Sequence, residues 1–534
     1  MKKNFRSLNQ RLPFRLSFII TIVVTIVVVS LFLRIYHIGT EDMWLDEANS
    51  VLLSERTLLD IVSGLKLDSS PPLFYYLLHY WMKLFGHTET ALRSLSALFG
   101  VLLVIVLFFA GSNLFTREVG VYSALIATLL PIQVMYSQEV RMYTLLPLTS
   151  VLSMYFFMKF IREEKRNYLV GYALATIACL YTHNYGFFLL PAQVLMLLYP
   201  PSKPRTWIAW LISIGCIGLV YAFWLPIFLF QLRNGTHYAW IRFFWNRHGF
   251  WGSLLNTLQS FSPGGTQLPY VPLNELSWNP LLPVVFMVIL LLFGIIQFII
   301  RRQTIFYWLL LYLLVPLIIA GLFSLVSLPI YLAGRCDQLV FPAFCLFLAV
   351  SIHSIRPKGL QYGAIIVLMV FSFGTLNDYY RISIKSGDRK IASTIKGNLR
   401  PGDAIVCTSF TRASLEYYLR EDKKRIRLFS YPREMANHLG NQDRKTLLKD
   451  PEKLIREAKL LEKEIRMGGS QSGRLFLLYV PNKVNNFLWS QLEENVPAHQ
   501  IRSMGEFKQS LLNPLVEIFL INFRGDVYNQ AGEV

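Results

Sequence analysis

Long apolar runs alternate with short loops rich in lysine and arginine, and that alternation limits the chain to a membrane-spanning helical architecture. The first run, Leu16 to Leu33, holds 18 residues without a charge, about 27 Å as a helix at roughly 1.5 Å per residue. A basic leader (Lys2, Lys3, Arg6, Arg11, Arg15) precedes it as in a signal peptide. The run is longer than such a signal needs and no small-residue cleavage site follows, so an uncleaved anchor is expected. Further spans are predicted at 94–115, 119–136, 142–160, 168–183, 186–200, 207–230, 280–300, 304–328, 338–355 and 359–376, about eleven in all. With 54% hydrophobic and only 16% charged residues, the 534-residue chain matches a polytopic membrane protein with a soluble appendage.

The net charge of +19 invites a nucleic-acid partner. Its distribution excludes that reading, because much of it sits in the short loops as membrane insertion requires. With the N-terminus in the cytoplasm, each inner loop carries basic residues: Arg117; Lys159, Arg162, Lys165 and Arg166; Lys203 and Arg205; Arg301 and Arg302; Arg356 and Lys358. An odd number of spans then puts the C-terminal region outside. The outer loops hold Asp46, Glu47, Glu139, His183, Arg335 and a long aromatic stretch at 231–279, whose own three arginines make the asymmetry imperfect. The segment 71–86 opens with Pro-Pro and is short for a span, so it is expected to lie at the outer interface, as is the amphipathic stretch 49–65. The five cysteines form no disulfide framework.

From about residue 378 the composition turns soluble. Strands are predicted at Ala404–Phe410, Arg425–Ser430, Arg474–Val480, Gln500–Phe507 and Val516–Phe523, with helices at 388–399, 412–421, 451–467 and 483–495. The expected organisation is therefore a transmembrane domain, 1–377, and an extracytoplasmic α/β domain, 378–534. The glycine-rich run 467–473 follows a helix and lacks a phosphate-binding spacing, so it is expected to be a plain loop.

Candidate chemistry gathers on the outer side. Asp46 and Glu47, in the run 44–50 (WLDEANS), are adjacent carboxylates at a membrane edge, costly there unless hydrated, paired or used. Glu139, Arg141 and Tyr143 sit at the turn between the third and fourth spans; the acid and base suit either a helix-capping ion pair or an anionic phosphate held by the guanidinium. His183 ends the fifth span and suits a structural hydrogen bond or a substrate contact. Arg335 opens the tenth, as an anchor or as a second cation for a lipid phosphate.

Four stretches carry a resemblance: WLDEANS (44–50), SPPLFYYLLHYWMKLFGHTETALRSLSALFG (70–100), SQEVRMYTL (137–145) and THNYGFFLLPAQ (182–193). Together they resemble bacterial GT-C glycosyltransferases, the relatives of protein O-mannosyltransferases and of the lipid A aminoarabinose transferase. The resemblance covers about the first 200 residues in motifs and the rest as architecture.

It implies a GT-C-like fold and transfer of a sugar from a polyprenyl-phosphate donor to a hydroxyl on a glycolipid, glycan or protein. An acidic residue of the first outer loop, Asp46 with Glu47 beside it, would be the base, and Glu139 would supply the acid of the second outer loop. Tyr143, His183, Arg141 and Arg335 fall to substrate binding. Many relatives open a late span with Arg-Tyr followed by prolines; here Arg335-Cys336 precedes Pro342.

Such a donor brings its own leaving group, so the chemistry needs a carboxylate base and cations for the departing phosphate. A single displacement inverts the anomeric carbon, and no cofactor is required. A divalent cation at Asp46 and Glu47 stays open, although no dense His/Cys cluster argues for one.

Two other classes compete. A transporter or flippase of lipid-linked sugars predicts mid-span charges and inverted repeats, whereas the notable charges here lie at span ends on one side. A non-catalytic scaffold predicts that Asp46→Asn leaves function intact.

Overall fold

The computed structural model describes residues 4–66, 68, 70–233, 239–265, 279, 281–301, 304–383, 385, 387–436, 447–467, 473–508 and 515–523. The chain divides into two compact units. One comprises residues 1–38, 69–233 and 241–382; the other comprises 39–68, 234–240 and 383–534.

The first unit is helical. Among the described residues, eight helices are long and apolar enough to cross a membrane: Ser17–Ile35, Glu89–Leu114, Leu145–Glu163, Pro204–Tyr221, Leu281–Ile300, Thr304–Val326, Cys336–Ser354 and Lys358–Arg381. A further pair, Arg117–Leu129 and Pro131–Ser137, is apolar enough together but bent by 62°, as in a broken span or a re-entrant loop. The sequence suggests one continuous span here, but Pro131 has no N–H to give and its ring clashes with the preceding turn. Two more expected spans are the shorter helices Arg166–Thr182 and Asn184–Leu198. Among the described residues eight helices, or nine counting the bent pair, thus qualify as spans against the eleven expected, and this is a multi-pass membrane protein.

Helix starts are written locally. Thr88 and Thr116 accept hydrogen bonds from Ala91 N and Val119 N, each satisfying an amide left without an intrahelical partner. Glu89–Leu114 and Arg117–Leu129 then pack backbone to backbone, since a Cβ on Gly111 would fall 2.8 Å from Gly120 Cα. Small residues drive such approaches in lipid, where apolar side chains gain nothing by leaving the bilayer. The innermost helix is Cys336–Ser354, 94% buried along its apolar window. Leu73–Phe85, the expected interfacial segment, is a 13-residue helix.

In the second unit, all five expected strands form: β1 (Ala404–Thr408), β2 (Arg427–Tyr431), β3 (Arg474–Tyr479), β4 (Ile501–Phe507) and β5 (Val516–Asn522). Their order is β2-β1-β3-β5-β4. The β1 pairings are parallel, while β5 runs antiparallel to both β3 and β4. Period-two alternation splits the strand side chains between two cores. Ile405, Cys407, Phe476 and Leu478 face helices Asp388–Lys396 and Arg412–Tyr418. Ala404, Val406, Leu475 and Leu477 face helices Pro451–Met467 and Asn485–Asn495. The glycine-rich run at 468–472 and the stretch 266–278 lie outside the described residues.

The same unit takes in residues 39–68, with helices Leu45–Ser54 and Leu58–Leu65. Asp42 N donates to Lys385 O (2.9 Å), Met43 N to the Tyr418 hydroxyl (2.9 Å), and Lys385 N to a Glu41 carboxylate oxygen (2.6 Å). These bonds lash the first loop to the chain that follows the last span.

Candidate active site

In the helical unit the loop 137–144 is pinned from three sides. The Gln138 amide donates to Arg34 O (3.1 Å) and Tyr36 O (2.7 Å) at the end of the first span and accepts from the Tyr379 hydroxyl (3.0 Å). Ser96 Oγ donates to Arg141 O (3.1 Å), and Thr144 Oγ1 donates back to Ser96 O (3.0 Å). Arg141 therefore leaves a rigid backbone.

Its guanidinium carbon lies 5.6 Å from the centroid of the Tyr143 ring, and that of Arg335 lies 5.9 Å from the same ring. Two residues 194 positions apart thus bring positive charge to one aromatic ring, whose electron-rich face attracts both. Tyr143 is in turn backed by Tyr136, ring centroids 4.7 Å apart. Glu139 is nearly buried, and the charges of Arg335, Glu139 and Asp337 all reach the Tyr136 hydroxyl. Arg141 and Arg335 are both half-buried, as groups that meet a ligand must be.

Arg335 is aimed by its neighbours. Gly334 N donates to Asp337 Oδ2 (2.8 Å), while Gly334 O accepts from the Tyr136 hydroxyl (2.5 Å) and the Gln338 amide (3.2 Å). Gly334 has φ +81°, a conformation that favours glycine. Asp337 Oδ2 also accepts from Thr257 Oγ1 (2.6 Å), so the helix Ala239–Ser260 holds this turn. The sequence alone does not single out Tyr136 or Asp337, although an Asp three residues after a glycine is a turn signal.

His183 caps the short helix Asn184–Phe188, its Nδ1 accepting from Tyr185 N (3.1 Å). That bond makes Nε2 the protonated nitrogen of the neutral ring. Tyr185 donates to Ile330 O and lines a cleft with Tyr331, Cys336 and Asp337. The His183 turn therefore supports the segment that carries Arg335.

In the second unit, Asp46 and Glu47 occupy the first turn of helix Leu45–Ser54, where unpaired amides favour negative charge. Their environments differ. Asp46 is half-buried, whereas Glu47 is fully buried with an oxygen 3.3 Å from Lys385 Nζ. The Lys385 ammonium also lies 5.7 Å from the Trp44 ring centroid. Nothing in the sequence pairs positions 47 and 385. A divalent cation on this acidic pair would meet that ammonium at close range, and like charges this close repel strongly. Among the described residues, no three His, Cys, Asp or Glu side chains gather in one place.

Residues 69–227 match the family described as dolichyl-phosphate-mannose-protein mannosyltransferase. Among curated proteins, none matches the chain in sequence. Solved structures are alike in fold. ArnT from Cupriavidus metallidurans in the apo state superposes with a TM-score of 0.61 at 14% identity, covering 95% of this chain and 98% of that one. The fold is that of the GT-C glycosyltransferases. ArnT bound to undecaprenyl phosphate gives a TM-score of 0.56 at 14% identity, with the same coverage. The Archaeoglobus fulgidus oligosaccharyltransferase, in complex with Zn and sulfate, also gives 0.56 at 11% identity, over 91% of this chain and 79% of that one. The GT-C resemblance seen in four sequence motifs thus extends to the architecture of almost the whole chain.

Proposed function

We propose that this protein is an integral-membrane glycosyltransferase that moves a sugar from a polyprenyl phosphate to an acceptor hydroxyl, with inversion at the anomeric carbon. The observation that carries the reading is the pair of guanidinium groups, Arg141 and Arg335, drawn to one buried tyrosine at the ends of apolar spans. A lipid-linked phosphate needs this combination: an apolar path for the prenyl chain and cations for the oxygens that gain charge as the sugar leaves. The undecaprenyl phosphate bound by the ArnT neighbour supports the donor class.

Asp46 acts as the base. The acceptor O–H gives its proton to the carboxylate while its oxygen bonds to the anomeric carbon, and the bond from that carbon to the phosphate oxygen breaks with its electrons going to the phosphate. Of the two adjacent acids Asp46 suits this role better, because Glu47 is buried against Lys385 and serves to fix the helix turn. Glu139 orients Arg141 or the acceptor. The protein sits in the plasma membrane with its N-terminus in the cytoplasm, and the sheet-containing unit faces outward, following the basic loops.

The deciding experiment supplies purified protein with polyprenyl-phosphate sugars and follows sugar transfer. Asp46→Asn is expected to lower turnover by about 10²–10⁴, the usual worth of a general base, with the donor KM little changed. Full-speed transfer by that variant overturns the proposal.

A further inference from the structure

The helix Leu145–Glu163 begins just after Tyr143, and Thr304–Val326 leads toward Arg335. Their other ends, near Glu163 and Thr304, therefore mark the far side of the helical unit from the two arginines. There a cleft of about 550 Å³ opens, lined by Ile161, Arg162, Glu164, Pro201, Lys203 and Trp308 among others. Neither the donor nor the acceptor of the proposed reaction calls for it.

Its charge balance is uneven. Glu163 is paired with Lys159 and with Lys165 (2.8 Å). Glu164 is paired with Lys203 (3.3 Å) and with Arg205. Each carboxylate thus already carries two cations, and Arg162 has no ion-pair partner among the described residues. The lining itself holds two cations, Arg162 and Lys203, and the two carboxylates; Lys159, Lys165 and Arg205, paired to those carboxylates from outside the lining, add three positive charges around it.

Part of the wall is apolar. Trp308 is buried and its N–H is spent on Tyr199 O (3.0 Å), so it offers ring surface, beside Ile161 and Ile305. Ser202, also in the lining, has a buried hydroxyl with no hydrogen-bond partner. A concave site of this size suits one headgroup-sized ligand. It lies beside the ends of three helices long and apolar enough to cross a membrane, Leu145–Glu163, Pro204–Tyr221 and Thr304–Val326.

We infer that this cleft binds the headgroup of an anionic phospholipid, its phosphate on Arg162 and Lys203 and the start of its acyl chains against Ile161, Ile305 and Trp308. A zwitterionic lipid brings its own cation to the same cations and is disfavoured. The inference stands apart from the catalytic reading, because none of these residues belongs to the proposed active site.

The test titrates the purified, delipidated full chain with dioleoyl phosphatidylglycerol, dioleoyl phosphatidylcholine or inorganic phosphate, and counts retained lipid by native mass spectrometry. Phosphatidylglycerol is expected to bind saturably and phosphatidylcholine not. Inorganic phosphate at the same concentration is expected to leave the bound lipid in place. Arg162→Gln with Lys203→Gln should weaken binding about 25-fold, at about fivefold per cation near a membrane surface. Lys459→Gln with Lys463→Gln, on the surface of the other unit, should not. Arg162→Gln alone, expected to lose about fivefold, serves if the double variant fails to fold. Equal retention of phosphatidylcholine, displacement by inorganic phosphate, or undiminished binding by the folded cleft variant overturns the inference.

Discussion

Replacing Glu47 by Gln removes one charge of a fully desolvated pair and leaves the other in place. The two side chains are 0% and 4% exposed and 3.3 Å apart. Coulomb attraction at that distance is worth about 5 kcal/mol at an effective dielectric near 20. Breaking such a pair from one side costs about 3–5 kcal/mol, because a buried ammonium then loses the carboxylate that lies 3.3 Å from it. The cost should appear where Glu47 sits, in the helix Leu45–Ser54, rather than across the whole chain. Amide hydrogen exchange reads that local opening directly. The helix peptides of Glu47→Gln should exchange about 10²- to 10⁴-fold faster than wild type, from the same 3–5 kcal/mol. Converting both partners to apolar residues, Glu47→Leu with Lys385→Met, should recover most of the protection, since the buried charge is then gone. Exchange in Glu47→Gln within about threefold of wild type, a shift of under 1 kcal/mol, would refute the reasoning. So would a double variant no better protected than the single one.

Three further outcomes are expected. Arg141→Gln and Arg335→Gln should each lower kcat/KM for the lipid donor by roughly 10- to 100-fold, the worth of about 1.5–3 kcal/mol for a charged hydrogen bond, measured by transfer kinetics. Asp337→Ala strips the acceptor from Gly334 N–H and should lower donor kcat/KM too, yet add little to Arg335→Gln in the double variant, because it acts through that residue. Burial pushes the Cys407 thiol up to about 12, so at pH 8.5 it stays protonated; iodoacetamide should leave it unmodified in the folded protein and label it after denaturation, as peptide mass spectrometry can read.

What the sequence made legible follows from local rules. Apolar runs of span length marked helices, and short apolar runs between turn residues marked β1 to β5 within a few residues of their ends. Pro131 shows the limit of that logic, because hydropathy continues across it while the backbone cannot. At the site, Arg141 and Arg335 could be singled out as span-end cations, but their shared ring could not, because it depends on how two distant helices pack. The membership of residues 39–68 in the C-terminal unit was hidden for the same reason. Lys385 lies in an unremarkable stretch, and only folding makes it the partner of Glu47.

That pairing sets a schedule for biosynthesis. Glu47 and Lys385 are separated by 338 residues, so the helix bearing Asp46 leaves the ribosome long before its counter-charge exists. At about 5–20 residues per second, the gap is roughly 20 s to a minute. Throughout that interval a carboxylate destined for complete burial has to remain in water. The helix that presents the proposed base is thus among the first segments made, and a nascent chain halted before position 385 would carry the residue without the ammonium that pairs with its neighbour.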